Sequence, residues 1–181
     1  MSQKIILNSK EIHITLHRLA CQLIENHTDF SNTVLIGIQP RGIFFARRII
    51  ELLKNEYQIS NVNYGELDIT FYRDDFRRRE EPLQANQNNM NTVIVENKKV
   101  VFIDDVLFSG RSIRAALTAI QAYGRPKNIE LMVLIDRRFS RSLPIQPDYL
   151  GMQVDAINEE KVKVSWKEKD EKDSIYLVKN K

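Results

Sequence analysis

Apolar positions recur along this chain with two periods, and stretches of each period alternate. Ile12, Leu16, Leu19 and Leu23 share one helical face, with Ser9 as the expected N-cap. Residues 33–38 then form an almost unbroken apolar run, which predicts a buried strand. Gly42 opens a second helix with Ile43, Ala46, Ile49, Ile50 and Leu53 inward, and residues 62–72 read as a long strand. Residues 99–104 form an apolar strand that ends in two aspartates. Residues 111–123 are helical, with Ile113, Ala116, Leu117 and Ile120 on one face, and Gly124 and Pro126 end them. Residues 129–135 form the next strand, and two short strands follow near Tyr149 and over residues 162–166.

Apolar strands separated by helices predict an α/β fold with a mostly parallel central sheet flanked by helices. Such sheets bind ligands beyond the carboxyl ends of their strands. The polar junctions Gln39-Pro40-Arg41-Gly42, Asp104 to Ser112, and Asp136-Arg137 are therefore expected to meet at one rim. Residues 73–92 interrupt the pattern. They begin with dense charge and continue in a run of amides, which predicts a flexible loop over that rim.

The bulk properties narrow the class. With 181 residues, 43% hydrophobic and 28% charged, the chain fits one globular domain spanning residues 1–181. A chain of this size buries roughly 70% of its unfolded surface and needs no metal or disulfide staple. Cys21 is the only cysteine, so no internal disulfide can form, which favours a reducing compartment. The amino terminus carries only a three-residue apolar run, too short for a signal-peptide core, and no stretch is long enough for a membrane span. The cytoplasm is the expected location. A net charge of +3 suits anionic substrates and permits RNA binding.

The segment after Ile103 carries the most chemistry. A buried strand delivers Asp104 and Asp105 to the sheet's edge, and Val106, Leu107, Phe108, Ser109, Gly110, Arg111 and Ser112 then turn into a helix. N–H groups at a helix start, with the helix dipole behind them, attract an anion. Ser109 and Ser112 add hydroxyl donors, and Gly110 allows close backbone approach. The carboxylates would repel a phosphate but can accept hydrogen bonds from a vicinal diol. A phosphate beside a diol describes a ribose 5-phosphate. Neither GxGxxG nor GxxxxGK[ST] occurs, which excludes the usual dinucleotide and P-loop motifs. An Asp pair alone fits a helix start equally well; the nine-residue string is far more specific.

That string resembles the 5-phosphoribosyl 1-diphosphate (PRPP) motif of the type I phosphoribosyltransferases. Ile38-Gln-Pro-Arg-Gly42, Gly65-Glu-Leu-Asp-Ile-Thr-Phe-Tyr-Arg-Asp-Asp75, Val106-Leu-Phe-Ser-Gly-Arg-Ser112, and Leu134-Ile-Asp-Arg137 with Leu143-Pro-Ile145 extend the similarity over nearly the whole chain. Within that family the chain resembles the pyrimidine-operon regulators that are also uracil phosphoribosyltransferases. The resemblance implies a type I phosphoribosyltransferase fold with a small hood. It implies conversion of PRPP and uracil to UMP and diphosphate, with Mg²⁺ carried by PRPP and no direct protein ligand. Arg41, Asp104, Asp105 and Arg73 would be the catalytic residues. Arg41, beside Pro40, would hold diphosphate, and Arg73 would begin a lid. Purine members carry an aspartate where this chain has Phe108, so Phe108 argues for a pyrimidine. Arg137 and the backbone near Val162 would contact the base or nucleotide.

The same resemblance implies a homo-oligomer and a leader-mRNA face, to which Arg18, Arg138 and Arg141 could contribute. The family's RNA face carries Thr and His where this chain has His17 and Cys21, and an arginine where it has Gln146. Two other readings stand beside the enzyme: a nucleotide-sensing RNA-binding attenuator with little catalysis, and a phosphoribosyltransferase for another base. A receiver-like signalling domain fits poorly, because its acidic pair would lie near the first strand.

Overall fold

The computed structural model of the protein describes residues 2–73, 89–156 and 160–179. Five strands form a parallel sheet in the order β3-β2-β4-β5-β6: β2 (Thr33–Ile38), β3 (Asn63–Leu67), β4 (Lys99–Leu107), β5 (Asn128–Arg138) and β6 (Tyr149–Asp155). Alternate residues of the inner strands serve opposite faces, as the pleat requires. Leu35, Val101, Ile103, Met132 and Leu134 pack against helices α1 (Ser9–His27) and α2 (Gly42–Asn55). Val34, Ile36, Val100, Phe102, Leu131 and Val133 pack with helix α3 (Arg111–Ala119) on the other side. Burial on both faces explains why the inner strands read as continuous apolar runs.

A second, antiparallel sheet has the order β1-β8-β7, with β1 (Ser2–Leu7), β7 (Glu160–Ser165) and β8 (Ser174–Lys179). It is the hood that the family resemblance implies, built from both ends of the described chain. Trp166 joins it to α2. The indole is fully buried, lies parallel to Phe45 with centroids 6.4 Å apart, and sits 4.8 Å under the Arg48 guanidinium. Arg48 in turn binds Glu168 and Asp173 through paired hydrogen bonds, and it holds the Glu168 carboxyl below its ordinary value.

Several boundaries differ from the sequence pattern. Asn8, not Ser9, caps α1. Its Oδ1 accepts from the Glu11 N–H at 3.1 Å, while Glu11 Oε2 accepts from the Asn8 N–H at 2.8 Å. The strand expected over residues 62–72 stops at Leu67, because Asp68 Oδ1 accepts from the Thr70 N–H at 2.8 Å and turns the chain into a short 3₁₀ segment. Strand β4 runs past the acidic pair to Leu107. Helix α3 is shorter than expected and gives way to a 3₁₀ turn over Ile120–Tyr123, ended by Gly124 at φ 133°. Phe45 points inward where Ile43 was expected, and Ala115 and Ala119 do so where Leu117 was expected. Strands β1 and β8 have no counterpart in the pattern analysis. Of the expected loop over residues 73–92, residues 74–88 lie outside the described residues.

Chain order reverses between β2 and β4, which makes the gap beyond their carboxyl ends the topological switch point of the sheet. Gly42 brings α2 against this gap. A Cβ there would lie 2.5 Å from the Ile103 carbonyl oxygen and 3.0 Å from Asp104 Cα, so only glycine permits the approach.

The opposite end of the sheet holds a buried polar network. His27 Nε2 lies 3.1 Å from Glu130 Oε2 and 3.0 Å from the Tyr149 hydroxyl, and Nδ1 lies 3.0 Å from Thr33 Oγ1. Tyr149 donates to Glu130 at 2.7 Å and accepts from Asn26 at 3.1 Å. Burial lowers the His27 pKa; Glu130 opposes the shift and Lys99 adds to it. The unfolded chain therefore takes up this proton at a higher pH than the folded one. Stability from this site is full above pH 6.5, the ordinary histidine value, and declines as pH falls toward the folded pKa. Urea midpoints should drop between pH 7.5 and 5.5, and the drop should be smaller in His27→Gln.

Candidate functional site

Strand β4 is paired on both sides and covered on both faces, so its last residues reach the rim already desolvated. Asp104 and Asp105 are 9% and 7% exposed. Burial pushes both carboxyls up, Asp104 well above its ordinary value with the Asp105 charge adding to the rise. Arg73 opposes the shift at Asp104, and Arg41 opposes it at Asp105. The two carboxyl groups stay close enough to interact with one another. Asp104 lines a cleft of about 260 Å³ together with Arg73 and residues 106–113. Asp105 instead accepts a hydrogen bond from Arg41 Nε at 3.2 Å. Of the pair expected to face a diol, Asp104 lines the cleft itself and Asp105 stands next to it.

The turn after β4 has the geometry of an anion cradle. Gly110 sits in the left-handed region at φ 88°, and α3 starts at the next residue. First-turn N–H groups of a helix have no intrahelical carbonyl partners, and the helix dipole places positive potential there. Ser109 Oγ accepts weakly from the Arg111 N–H at 3.4 Å, which tightens the turn. Ser112 also lines the cleft. From behind, Arg141 donates to the carbonyls of Leu107 and Phe108 at 3.3 and 2.7 Å and to Ile145 O at 2.9 Å, and it pairs with Asp136.

Arg41 and Pro40 lie at the end of β2, directly across the switch point. Arg41 caps α2 through its backbone position and spans two layers: its Nε binds Asp105, and its Nη2 donates to the Val164 carbonyl in the hood. Pro40 is exposed beside it. Phe108, 48% exposed, forms the third side of the rim. The Arg137 guanidinium lies 4.1 Å over its ring, a cation–π contact, and donates to Glu160 O at 2.8 Å. Burial lowers the Arg137 pKa, and its buried Nε has no hydrogen-bond partner among the described residues. Val162, two residues beyond Glu160 in β7, is half-buried against the core. The three polar junctions do therefore converge.

The three arginines considered for RNA are all engaged within the chain. Arg18 covers the open edge of β6, donating to Leu150 O at 3.1 Å and Gly151 O at 2.6 Å. Arg138 pairs with Asp155 at 3.0 Å and lies 5.0 Å over the Phe139 ring. Arg138 and Arg141 line a common cavity of about 470 Å³ that Arg18 does not reach. Sequence reasoning missed the stack of Arg137 on Phe108, the Arg41 contact to Val164 and the role of Arg141. All three join residues distant in sequence, and no local signal marks them.

The Phosphoribosyl transferase domain family matches residues 2–169. The chain is 42% identical over 175 residues to the Bifunctional protein PyrR of Clostridium novyi, with 97% of each chain covered. It is 43% identical over 173 residues to the Bifunctional protein PyrR of Trichormus variabilis, covering 96% of this chain and 94% of the relative. Among solved structures, the hypoxanthine phosphoribosyltransferase of Trypanosoma cruzi superposes with a TM-score of 0.72 at 15% identity, over 98% and 97% of the two chains. A hypoxanthine-guanine phosphoribosyltransferase of Bacillus anthracis gives 0.70 at 18% identity, over 97% and 98%. At these identities the structures speak to the fold alone.

The anion-binding geometry of this turn can be tested with inorganic phosphate. A side chain at Gly110 must adopt the left-handed conformation, at about 1–2 kcal/mol, and would meet Ile145 Cδ1 at 3.1 Å. Gly110→Ala should lower the urea midpoint and weaken inorganic phosphate binding, measured by calorimetry, about tenfold or more.

Proposed function

The chain belongs to the phosphoribosyl transferase domain family, and on that footing we propose that it is a uracil phosphoribosyltransferase of PyrR type that also acts on pyrimidine genes through mRNA. The proposed reaction joins N1 of uracil, which loses its proton, to C1 of PRPP, breaks the C1–O bond to diphosphate and releases UMP and diphosphate. The observation that carries the pyrimidine assignment is Phe108. An acidic group at this rim position would serve the N7 of a purine; here an aromatic ring stands under the Arg137 guanidinium instead. That stack, with Arg137 reaching to Glu160 O and Val162 close by, suits a flat base held by its face and by backbone groups along its imide edge.

The cradle over residues 108–112 would take the 5-phosphate, and Asp104 the ribose hydroxyls. As diphosphate departs, the sugar gains oxocarbenium character, so catalysis is mostly positioning and stabilisation of the leaving charge. Arg41 and Arg73 flank the acidic pair and would meet that charge, with Arg41 leaving Asp105 and Val164 to do so. Mg²⁺ brought by PRPP oxygens would neutralise diphosphate charge. The Asp104 carboxylate at the cleft wall fits a hydrated Mg²⁺, which keeps most of its waters. Asp105 would act through Arg41.

The regulatory half of the proposal includes a homo-oligomer and leader mRNA as partners. Arg18 and Arg138, both at the β6 edge, remain its basic candidates. Among the described residues no helix is long and apolar enough to cross a membrane. The attenuator with little catalysis is the competing reading, and one assay separates the two. UMP should form from uracil and PRPP with Mg²⁺, while guanine and hypoxanthine are left unconsumed. Tight UMP binding without turnover would favour the attenuator.

Two substitutions probe the roles. Arg41→Ala should raise the KM for PRPP about tenfold to a hundredfold while UMP affinity changes far less; equal loss of both contradicts a diphosphate role. Asp104→Asn should weaken PRPP and UMP together, and Asp105→Asn should follow the Arg41 pattern, as read by calorimetric titration of each ligand.

A further inference from the structure

We infer that Arg141 is the positioning residue of the phosphate cradle: from behind the loop it turns successive peptide units so that their N–H groups face the cleft. The inference rests on the phosphoribosyltransferase reading of that cleft. Its basis is the pattern of carbonyl contacts. Arg141 Nη1 donates to Leu107 O and Phe108 O, and the Ser142 N–H donates to Ser109 O at 3.0 Å. Three consecutive carbonyls thus point toward the segment that follows β5. These peptide bonds are trans, so each carbonyl is antiparallel to the N–H of the next residue. The N–H groups of Phe108, Ser109 and Gly110 therefore point the other way. Leu107 to Ser112 line the cleft on that side.

The chemistry requires arginine. Its five N–H donors are fixed in one plane. Nε goes to Ile145 O, Nη1 to two loop carbonyls and Nη2 to the buried Asp136 carboxylate. Asp136 lies beside Leu107 in the β4–β5 ladder, so the guanidinium is anchored on the rigid sheet and not on the loop it holds. Ser142 contributes only through its backbone, and Leu143 and Ile145 pack under Gly110. Arg141 is thus the one side chain seen to hold these carbonyls among the described residues. Four of its donors are committed, which sets it apart from a free basic group waiting for RNA.

A residue that shapes a contact to a non-reacting part of the substrate alters ground and transition states alike. In Arg141→Ala the KM for PRPP should rise about tenfold or more, with kcat at saturating PRPP and the KM for uracil little changed. Arg141→Lys, which cannot reach all four acceptors, should fall between wild type and Arg141→Ala. Guanidinium at non-denaturing concentration should restore PRPP affinity to Arg141→Ala and leave wild type unaffected. An unchanged PRPP KM in Arg141→Ala, or a fall in kcat with unchanged KM, or no response to guanidinium overturns the inference. If Arg141→Ala does not fold, Arg141→Lys and Asp136→Asn carry the same test, and wild-type PRPP KM in both overturns it. Should wild type neither turn over nor bind PRPP, the enzyme reading fails instead. Titration of wild type and Arg141→Lys with inorganic phosphate then decides the Arg141 role, and equal affinities overturn it.

Discussion

Two carboxyl groups held out of water at the end of the central strand are the constraint on which the rest of the site depends. Strand β4 has neighbours on both edges and helices on both faces, so Asp104 and Asp105 are largely shielded from bulk solvent. An uncompensated buried charge is costly, and the structure answers each with a cation from another element. Arg41 comes from the end of β2 and Arg73 from beyond β3. The order of strands makes this convergence unavoidable. Strand β4 lies next to β2, and Gly42 lets the start of α2 touch the Asp104 backbone. The site is therefore a consequence of burying the middle of a parallel sheet, with polar groups gathered where the strands end.

The parts of this arrangement that were legible in the sequence are contiguous in it. The strand, the acidic pair, Gly110 and the start of α3 fall within thirteen residues, and each carries its own local signal. Both faces of the sheet were readable because double burial leaves an unbroken apolar run. Contacts over long separations were not legible. Arg141 reaches back 34 residues to Leu107, and Arg41 reaches forward 123 to Val164. The hood pairs Ser2 with Lys179, and short half-exposed strands carry little pattern. The misplaced cap of α1 is a different case. Glu11 stands three residues after Asn8, the spacing of a capping box, and that spacing was available to decide between Asn8 and Ser9.

The three arginines weighed for RNA show why residue type alone is a weak guide. Arg18, Arg138 and Arg141 share a charge and a part of the molecule. Yet one closes an open sheet edge, one pairs with Asp155 at the surface, and one holds the carbonyls of the loop after β4. Their positive charge says little until their hydrogen bonds are counted, because a guanidinium whose donors are spent on carbonyls serves the fold first.

Trp166 is the only tryptophan in the chain. It lies two residues beyond the carbonyl that Arg41 holds, stacked on Phe45 and capped by Arg48. The molecule thus carries one indole fluorophore, placed at the joint between hood and sheet. Emission from so singular a chromophore has no background from other indoles. The charge of the adjacent guanidinium and the polarity around the buried Nε1 make its colour an optical record of how the two layers meet.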